Sequence, residues 1–105
     1  MKIMTNNKRG ISVNSIIVAA KDQVSTDLGD ETAILSLKNG VYYSLNSVGA
    51  RIWRLIQAPI TVNEIRDTIL EEYDVSFEQC ESDILALLEK LFTENLVESL
   101  DETIS

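Results

Sequence analysis

The sequence predicts an α+β domain of winged helix-turn-helix shape, a three-stranded antiparallel sheet followed by three helices. Three observations carry this. Residues 32–45 alternate with the period of a strand on both sides of Asn39-Gly40. Two boxes, Thr61-Val62-Asn63-Glu64 and Ser76-Phe77-Glu78-Gln79, have the form that opens a helix. Apolar residues then recur at spacings of three and four. Strands that precede a run of helices argue for segregated α+β layers, not for alternating α/β units.

Taken in order, residues 1–15 read as a flexible N-terminal arm, polar with scattered apolar positions. Ile16-Ile17-Val18-Ala19 reads as a short extended lead-in. Val24-Ser25-Thr26-Asp27-Leu28 is β-prone and ends at the turn signal Gly29-Asp30. From Thr32 to Leu37, Ala33, Leu35 and Leu37 share one face, and Thr32, Ile34 and Ser36 share the other. Asn39-Gly40 predicts a type I′ hairpin, because both central positions of that turn need positive φ. Val41-Tyr42-Tyr43-Ser44-Leu45 is the return strand. Asn46 or Ser47 then caps a helix over Val48 to Ile56 that Ala58-Pro59 stops. Val62, Ile65, Ile69 and Tyr73 form one face of the second helix. Phe77, Cys80, Ile84, Leu87, Leu88, Leu91 and Phe92 form a wide stripe on the third. Asn95 suits that helix's end, and Leu96-Val97-Glu98 reads as a short strand or tail. The domain is expected over 16–100, with a C-terminal tail at 101–105.

Composition excludes several function classes. With 105 residues the chain is one domain, with a modest core and no room for a large internal pocket. It has no histidine, which removes the commonest general base and metal ligand. Cys80 is the single cysteine, so neither an internal disulfide nor a cysteine-based zinc site is expected. Asp27, Asp30 and Glu31 gather at one turn without a calcium-loop pattern and read as a solvated turn. Cys80 reads as a buried core residue, not a nucleophile, and Glu71-Glu72 and Asp101-Glu102 as charged surface. No catalytic residue, metal or cofactor is expected. The longest apolar run, Ile16 to Ala20, is too short to span a membrane, and no signal peptide is evident. A cytoplasmic protein is expected.

Charge is unevenly spread. The formal net charge is −8. Met1 to Thr61 carries seven Lys or Arg against four Asp or Glu, while Val62 to Ser105 carries two against thirteen. An acidic half of this kind repels phosphate backbones.

The return strand holds the clearest candidate for function. Adjacent strand residues point to opposite faces, so one of Tyr42 and Tyr43 enters the core and the other faces outward. The strand ends a meander, and no lysine or proline between Val41 and Leu45 blocks its free edge. Trp53, flanked by Ile52, Leu55 and Ile56, reads as core. A plain edge shielded by the N-terminal arm is the alternative to a used one.

These residues resemble the PqqD-like proteins, also called RiPP recognition elements. The resemblance runs from Gln23 to Glu98. It rests on Thr26-Asp27-Leu28-Gly29-Asp30-Glu31, on Leu37-Lys38-Asn39-Gly40-Val41-Tyr42-Tyr43-Ser44-Leu45-Asn46 and on Val48-Gly49-Ala50-Arg51-Ile52-Trp53. Thr61-Val62, Glu64-Ile65 and Glu71-Glu72-Tyr73-Asp74-Val75 fit as well. A stand-alone chain of this length is most similar to the small leader-binding partner in lasso-peptide clusters. The resemblance implies a precursor leader peptide that adds as a strand beside Val41, Tyr42, Tyr43, Ser44 and Leu45. It also implies a pocket against the last helix, with Asp83, Ile84, Leu87, Lys90 and Leu91 as the expected lining. A leader peptidase and a cyclase are the implied protein partners, with no nucleic acid and no membrane. The competing reading is a winged-helix regulator that binds DNA or a protein. For DNA it needs a basic recognition helix, whereas Glu78, Glu81, Asp83, Glu89 and Glu94 oppose the single Lys90.

Overall fold

The computed structural model describes residues 10–100. The chain order is β1 (Ile16–Ala19), β2 (Gln23–Leu28), β3 (Glu31–Ser36), β4 (Tyr42–Leu45), α1 (Ser47–Leu55), β5 (Ile60–Thr61), α2 (Val62–Glu72), α3 (Phe77–Thr93) and β6 (Val97–Ser99). The expected meander is present as a sheet of order β2-β3-β4, followed by the three expected helices. A second small sheet, order β5-β1-β6, joins the start of the domain to its end.

Two different turns build the meander. Leu28 pairs with Glu31 across Gly29-Asp30, and only Gly29 has positive φ, +76°. Positive φ at the first central position alone is the type II′ arrangement. At the second turn, Ser36 N–H donates to the Val41 carbonyl and Gly40 N–H to the Ser36 carbonyl, both at 2.9 Å. The loop is therefore Leu37 to Gly40, with Gly40 alone at positive φ, +71°. The two-residue type I′ turn expected at Asn39-Gly40 is replaced by this four-residue loop. Asn39 instead accepts from Val41 N–H at 3.0 Å through its side chain.

The alternation of β3 resolves in favour of the face with two hydroxyls. Thr32, Ile34 and Ser36 are buried, and Ala33 and Leu35 lie on the outer face with the exposed Leu37. The choice follows from α1, which packs on the inner face. Trp53 is buried there, and its Nε1–H donates to Ser25 Oγ at 3.1 Å, which satisfies the indole as the ring is buried. Ile34 and Ser25 are cross-strand partners, so the same face takes both.

Helix starts are local and match the sequence. Asn46 Oδ1 accepts from Gly49 N–H at 2.9 Å. Thr61 and Glu64 exchange both bonds of a capping box, Glu64 N–H to Thr61 Oγ1 at 3.2 Å and Thr61 N–H to Glu64 Oε1 at 3.1 Å. The second box closes on one side only. Ser76 Oγ accepts from Gln79 N–H, but the Gln79 amide turns along the helix to Asp83 Oδ1 at 2.8 Å. At the end of α3, Asn95 adopts φ +63°. Leu96 N–H then bonds to the Leu91 carbonyl at 2.8 Å and Asn95 N–H to the Phe92 carbonyl at 3.0 Å. This is a Schellman stop, which turns the chain from α3 into β6.

Ile17, Ile34, Ile65, Ile84 and Leu88 are fully buried and draw on both sheets and on α2 and α3, and Ile56 and Leu96 are buried just past the ends of α1 and α3. Of the residues expected as a flexible arm, Ile11 to Ser15 pack against the rest of the domain. Ile11 packs in the core and its N–H donates to Glu89 Oε2 at 2.8 Å. The Val13 and Ser15 carbonyls accept from Asn63 and Val62 N–H. The rest of the expected arm, 1–9, and the tail, 101–105, lie outside the described residues.

The Schellman stop generates a stability test. Asn95→Gly keeps the left-handed conformation and should leave stability within about 0.5 kcal/mol. Asn95→Val forces a β-branched residue into that region and should cost about 1–2 kcal/mol in urea unfolding. Equal stability of both variants would contradict this role for the αL residue.

Candidate functional site

The β4 strand pairs with β3 alone, in the register Thr32–Leu45, Ala33–Ser44, Ile34–Tyr43 and Leu35–Tyr42. The Ser36–Val41 hydrogen bond fixes the phase of the ladder. Hydrogen-bonded pairs alternate along an antiparallel ladder, so Ile34–Tyr43 and Thr32–Leu45 are the bonded pairs. The N–H and C=O groups of Tyr42 and Ser44 therefore point away from the sheet. No strand meets them among the described residues. Among the described residues the outer edge of β2 also has no strand partner, and the β4 edge opens onto a cleft.

That cleft has a volume of about 480 Å³. Ser44 and Leu45 form one rim, and Asn46, Val48, Gly49 and Ile52 carry the wall into α1. Ile69 of α2, with Tyr73 and Val75 just past its end, closes the far end. Cys80, Asp83, Ile84, Ala86 and Leu87 of α3 supply the opposite wall. Beyond the cleft, Tyr43 Oη donates to Glu94 Oε1 at 2.6 Å and ties β4 to the end of α3. That bond and partial burial raise the phenol above its ordinary pKa.

The wall is mostly apolar, and Asp83 is its one charged residue. Cys80 is 4% exposed on the cleft wall. Burial pushes its thiol above the ordinary range, whereas a thiol nucleophile needs the reverse. Near the α2 end, Arg51 holds Glu72 through two bonds of 2.8 Å, and this pairing lowers the Glu72 carboxyl. Among the described residues no group of three His, Cys, Asp or Glu side chains is arranged to hold a metal, and no helix is long and apolar enough to cross a membrane.

The expected site residues divide. Ser44, Leu45, Asp83, Ile84 and Leu87 line the cleft. Tyr43 faces inward, half-buried at Glu94, while Tyr42 is 71% exposed on the opposite face. Val41 stands at the foot of the turn, its carbonyl accepting from Ser36 N–H and its own N–H donating to the Asn39 side chain. Lys90 is exposed outside the lining, and Leu91, at 2% exposure, belongs to the core because it turns toward the helix interior. Sequence reasoning missed the walls from α1 and α2. Ile52, Ile69 and Tyr73 showed only as members of apolar stripes, which do not tell floor from core.

The family model described as coenzyme PQQ synthesis protein D (PqqD) matches residues 31–97. The chain belongs to the PqqD family. Among solved structures it is similar to TbiB1 in complex with the TbiA(beta) leader peptide, with 33% identity and a TM-score of 0.74. That likeness covers 81% of this chain and 99% of the other. No curated protein matches the chain. The PqqD match begins at the first residue of β3 and ends at the first residue of β6. It thus contains the β4 edge, all three helices and the whole cleft.

Burial of Cys80 gives a direct check on the cleft. Iodoacetamide at pH 8 should alkylate the folded chain at least about tenfold more slowly than the urea-unfolded chain, because reagent access and thiolate are both restricted. Equal rates would place the thiol at an open surface instead.

Proposed function

We propose that this PqqD-family chain binds the leader segment of a ribosomally made precursor peptide as an added strand on β4. It then delivers the precursor to the leader peptidase and cyclase of a lasso-peptide pathway. The observation that carries the reading is the coincidence of two features. The outward backbone groups of Tyr42 and Ser44 lie free beside an apolar cleft. They do so in a chain with 33% identity to TbiB1, whose structure was solved with a leader peptide. Strand addition uses main-chain bonds for affinity and side-chain pockets for selectivity.

Magnitudes explain why edge and cleft are both needed. Tyr42 and Ser44 offer one donor and one acceptor each. Four such bonds, at about 0.5–1.5 kcal/mol net apiece, fall short of the roughly 8 kcal/mol of a micromolar complex. Ordering the leader adds a further cost. Apolar side chains buried in the cleft, at about 1.5–3 kcal/mol each, supply the remainder. Catalysis has no support in the same cleft. The chain has no histidine, and the thiol on the cleft wall is pushed away from its reactive form. The exposed Glu78, Asp83 and Glu89 of α3 weigh against duplex DNA at that helix.

A proline scan tests the edge, because proline removes one backbone donor. The probe is a fluorescently labelled candidate leader peptide that the wild-type chain binds. Tyr42→Pro and Ser44→Pro should spare the β3–β4 ladder and weaken leader binding roughly five- to thirty-fold, about 1–2 kcal/mol per lost bond. Tyr43→Pro and Leu45→Pro should break ladder bonds and lower the thermal midpoint. Wild-type affinity in both outward variants would rule out strand addition at β4.

A second outcome concerns the cleft. Saturating leader should slow Cys80 alkylation below its rate in the free folded chain. An unchanged rate would mean that the leader leaves the cleft empty.

A further inference from the structure

We propose that the cleft selects leaders carrying a bulky apolar side chain with a lysine or arginine within two residues of it, and that Asp83 reads the cation. The inference rests on the strand-addition reading and specifies the peptide chemistry that reading requires.

Ser44 contributes its outward backbone groups to the edge and lies on the cleft rim. A strand added there has alternate residues pointing toward the helices, and the one beside Leu45 meets the cleft. Leu45, Val48, Ile52, Ile69, Ile84 and Leu87 make that space apolar. Its volume of about 480 Å³ falls in the roughly 300–1,000 Å³ range of ligand pockets, enough for a large side chain.

Charge decides what accompanies that side chain. Asp83 is the one charged residue on the wall, and its one hydrogen-bond partner among the described residues is the neutral Gln79 amide. Among the described residues no cation forms an ion pair with it. Arg51 is held by Glu72, and Arg66 by Glu81, Asp67 and Asn63. Lys90 stands two turns further along α3, about 10 Å away by helix rise and outside the lining. The exposed Asp74, between the wall residues Tyr73 and Val75, adds negative potential.

In the free protein water solvates Asp83, which is exposed. A docked strand displaces part of that water, and a carboxylate covered without a partner is unfavourable. A leader cation restores the balance, with its aliphatic stem on the apolar wall and its charge at the rim. An acidic leader residue at the same place adds repulsion. Discrimination therefore arises from the penalty on the wrong peptide as well as the gain on the right one.

The test uses a displayed library of random twelve-residue peptides selected on the full chain and on Asp83→Lys. Wild type should enrich a bulky apolar residue with Lys or Arg within two positions. Asp83→Lys should enrich Asp or Glu there. One wild-type-selected peptide and its norleucine counterpart are then titrated at low salt. Wild type should prefer the cationic form about three- to tenfold, and Asp83→Asn should bind both forms equally. Asp83→Asn keeps an acceptor for Gln79, so it carries the test even where Asp83→Lys fails to fold. Pools without a charge preference, or an unchanged preference in Asp83→Asn, would overturn the proposal. Ser44→Pro, run in parallel, separates the two readings. If it weakens binding by the expected factor while selectivity ignores residue 83, the inference about Asp83 alone fails. If it leaves selected peptides bound at full affinity, strand addition fails with it.

Discussion

The register of β4 on β3 is the constraint on which the rest of the site depends. Side chains alternate along a strand, so a slip of one residue would exchange its two faces. In the observed register Tyr43 and Leu45 turn toward the helices and Tyr42 and Ser44 turn out. A slip would bring Tyr42 inward, release Tyr43 from Glu94 and expose Leu45. It would also displace Asn46, whose side chain caps α1 one residue after β4 ends. Burial of Ile34 opposite Tyr43, the Ser36–Val41 bond and the left-handed Gly40 all enforce one register. The same register decides which backbone groups of β4 are satisfied inside the fold and which are left at its edge.

The helices turn that edge into a site. The Asn46 cap starts α1 directly at the end of β4, so the first turn of α1 becomes a cleft wall. The end of α3 is fastened twice, by Tyr43 to Glu94 and by the Schellman stop at Asn95. The chain then enters β6, which pairs with β1, and β1 pairs in turn with β5 at the start of α2. The small second sheet thereby ties the start of α2 to the segment that follows α3. All three helices contribute walls to the cleft.

Local signals in the sequence were legible and long-range ones were not. The Thr61–Glu64 box, the Asn46 cap and the opposed directions of Tyr42 and Tyr43 depend on a few neighbouring residues, and each matches the structure. The inward face of β3 was open, because alternation is symmetric and Leu35 looks more apolar than Thr32 or Ser36. Trp53, distant in sequence, decides it by lying against Ile34 and Ser25. The two-residue β5 carries no periodic pattern, so the second sheet exists only as pairings between distant segments. At Ser76–Gln79 the box sequence is present, but Asp83 competes for the glutamine amide and wins. The cleft was half legible for the same reason. The α3 stripe indicated Asp83, Ile84 and Leu87, whereas the walls from Ile52, Ile69 and Tyr73 depend on how three helices meet. Leu91 and Lys90 share that stripe's neighbourhood in sequence, yet the helix turns one into the core and leaves the other outside the lining.

The central claim is that two backbone amides of β4 are held free for another strand. Residue-resolved amide hydrogen exchange measured by NMR, with and without the leader, addresses it most directly. In the free chain the Tyr43 and Leu45 amides should be protected by the β3 ladder, and the Tyr42 and Ser44 amides should exchange quickly. Saturation with leader should protect Tyr42 and Ser44 strongly and leave the pattern on β2 unchanged. Fast exchange at Tyr42 and Ser44 in the fully bound chain would contradict the account.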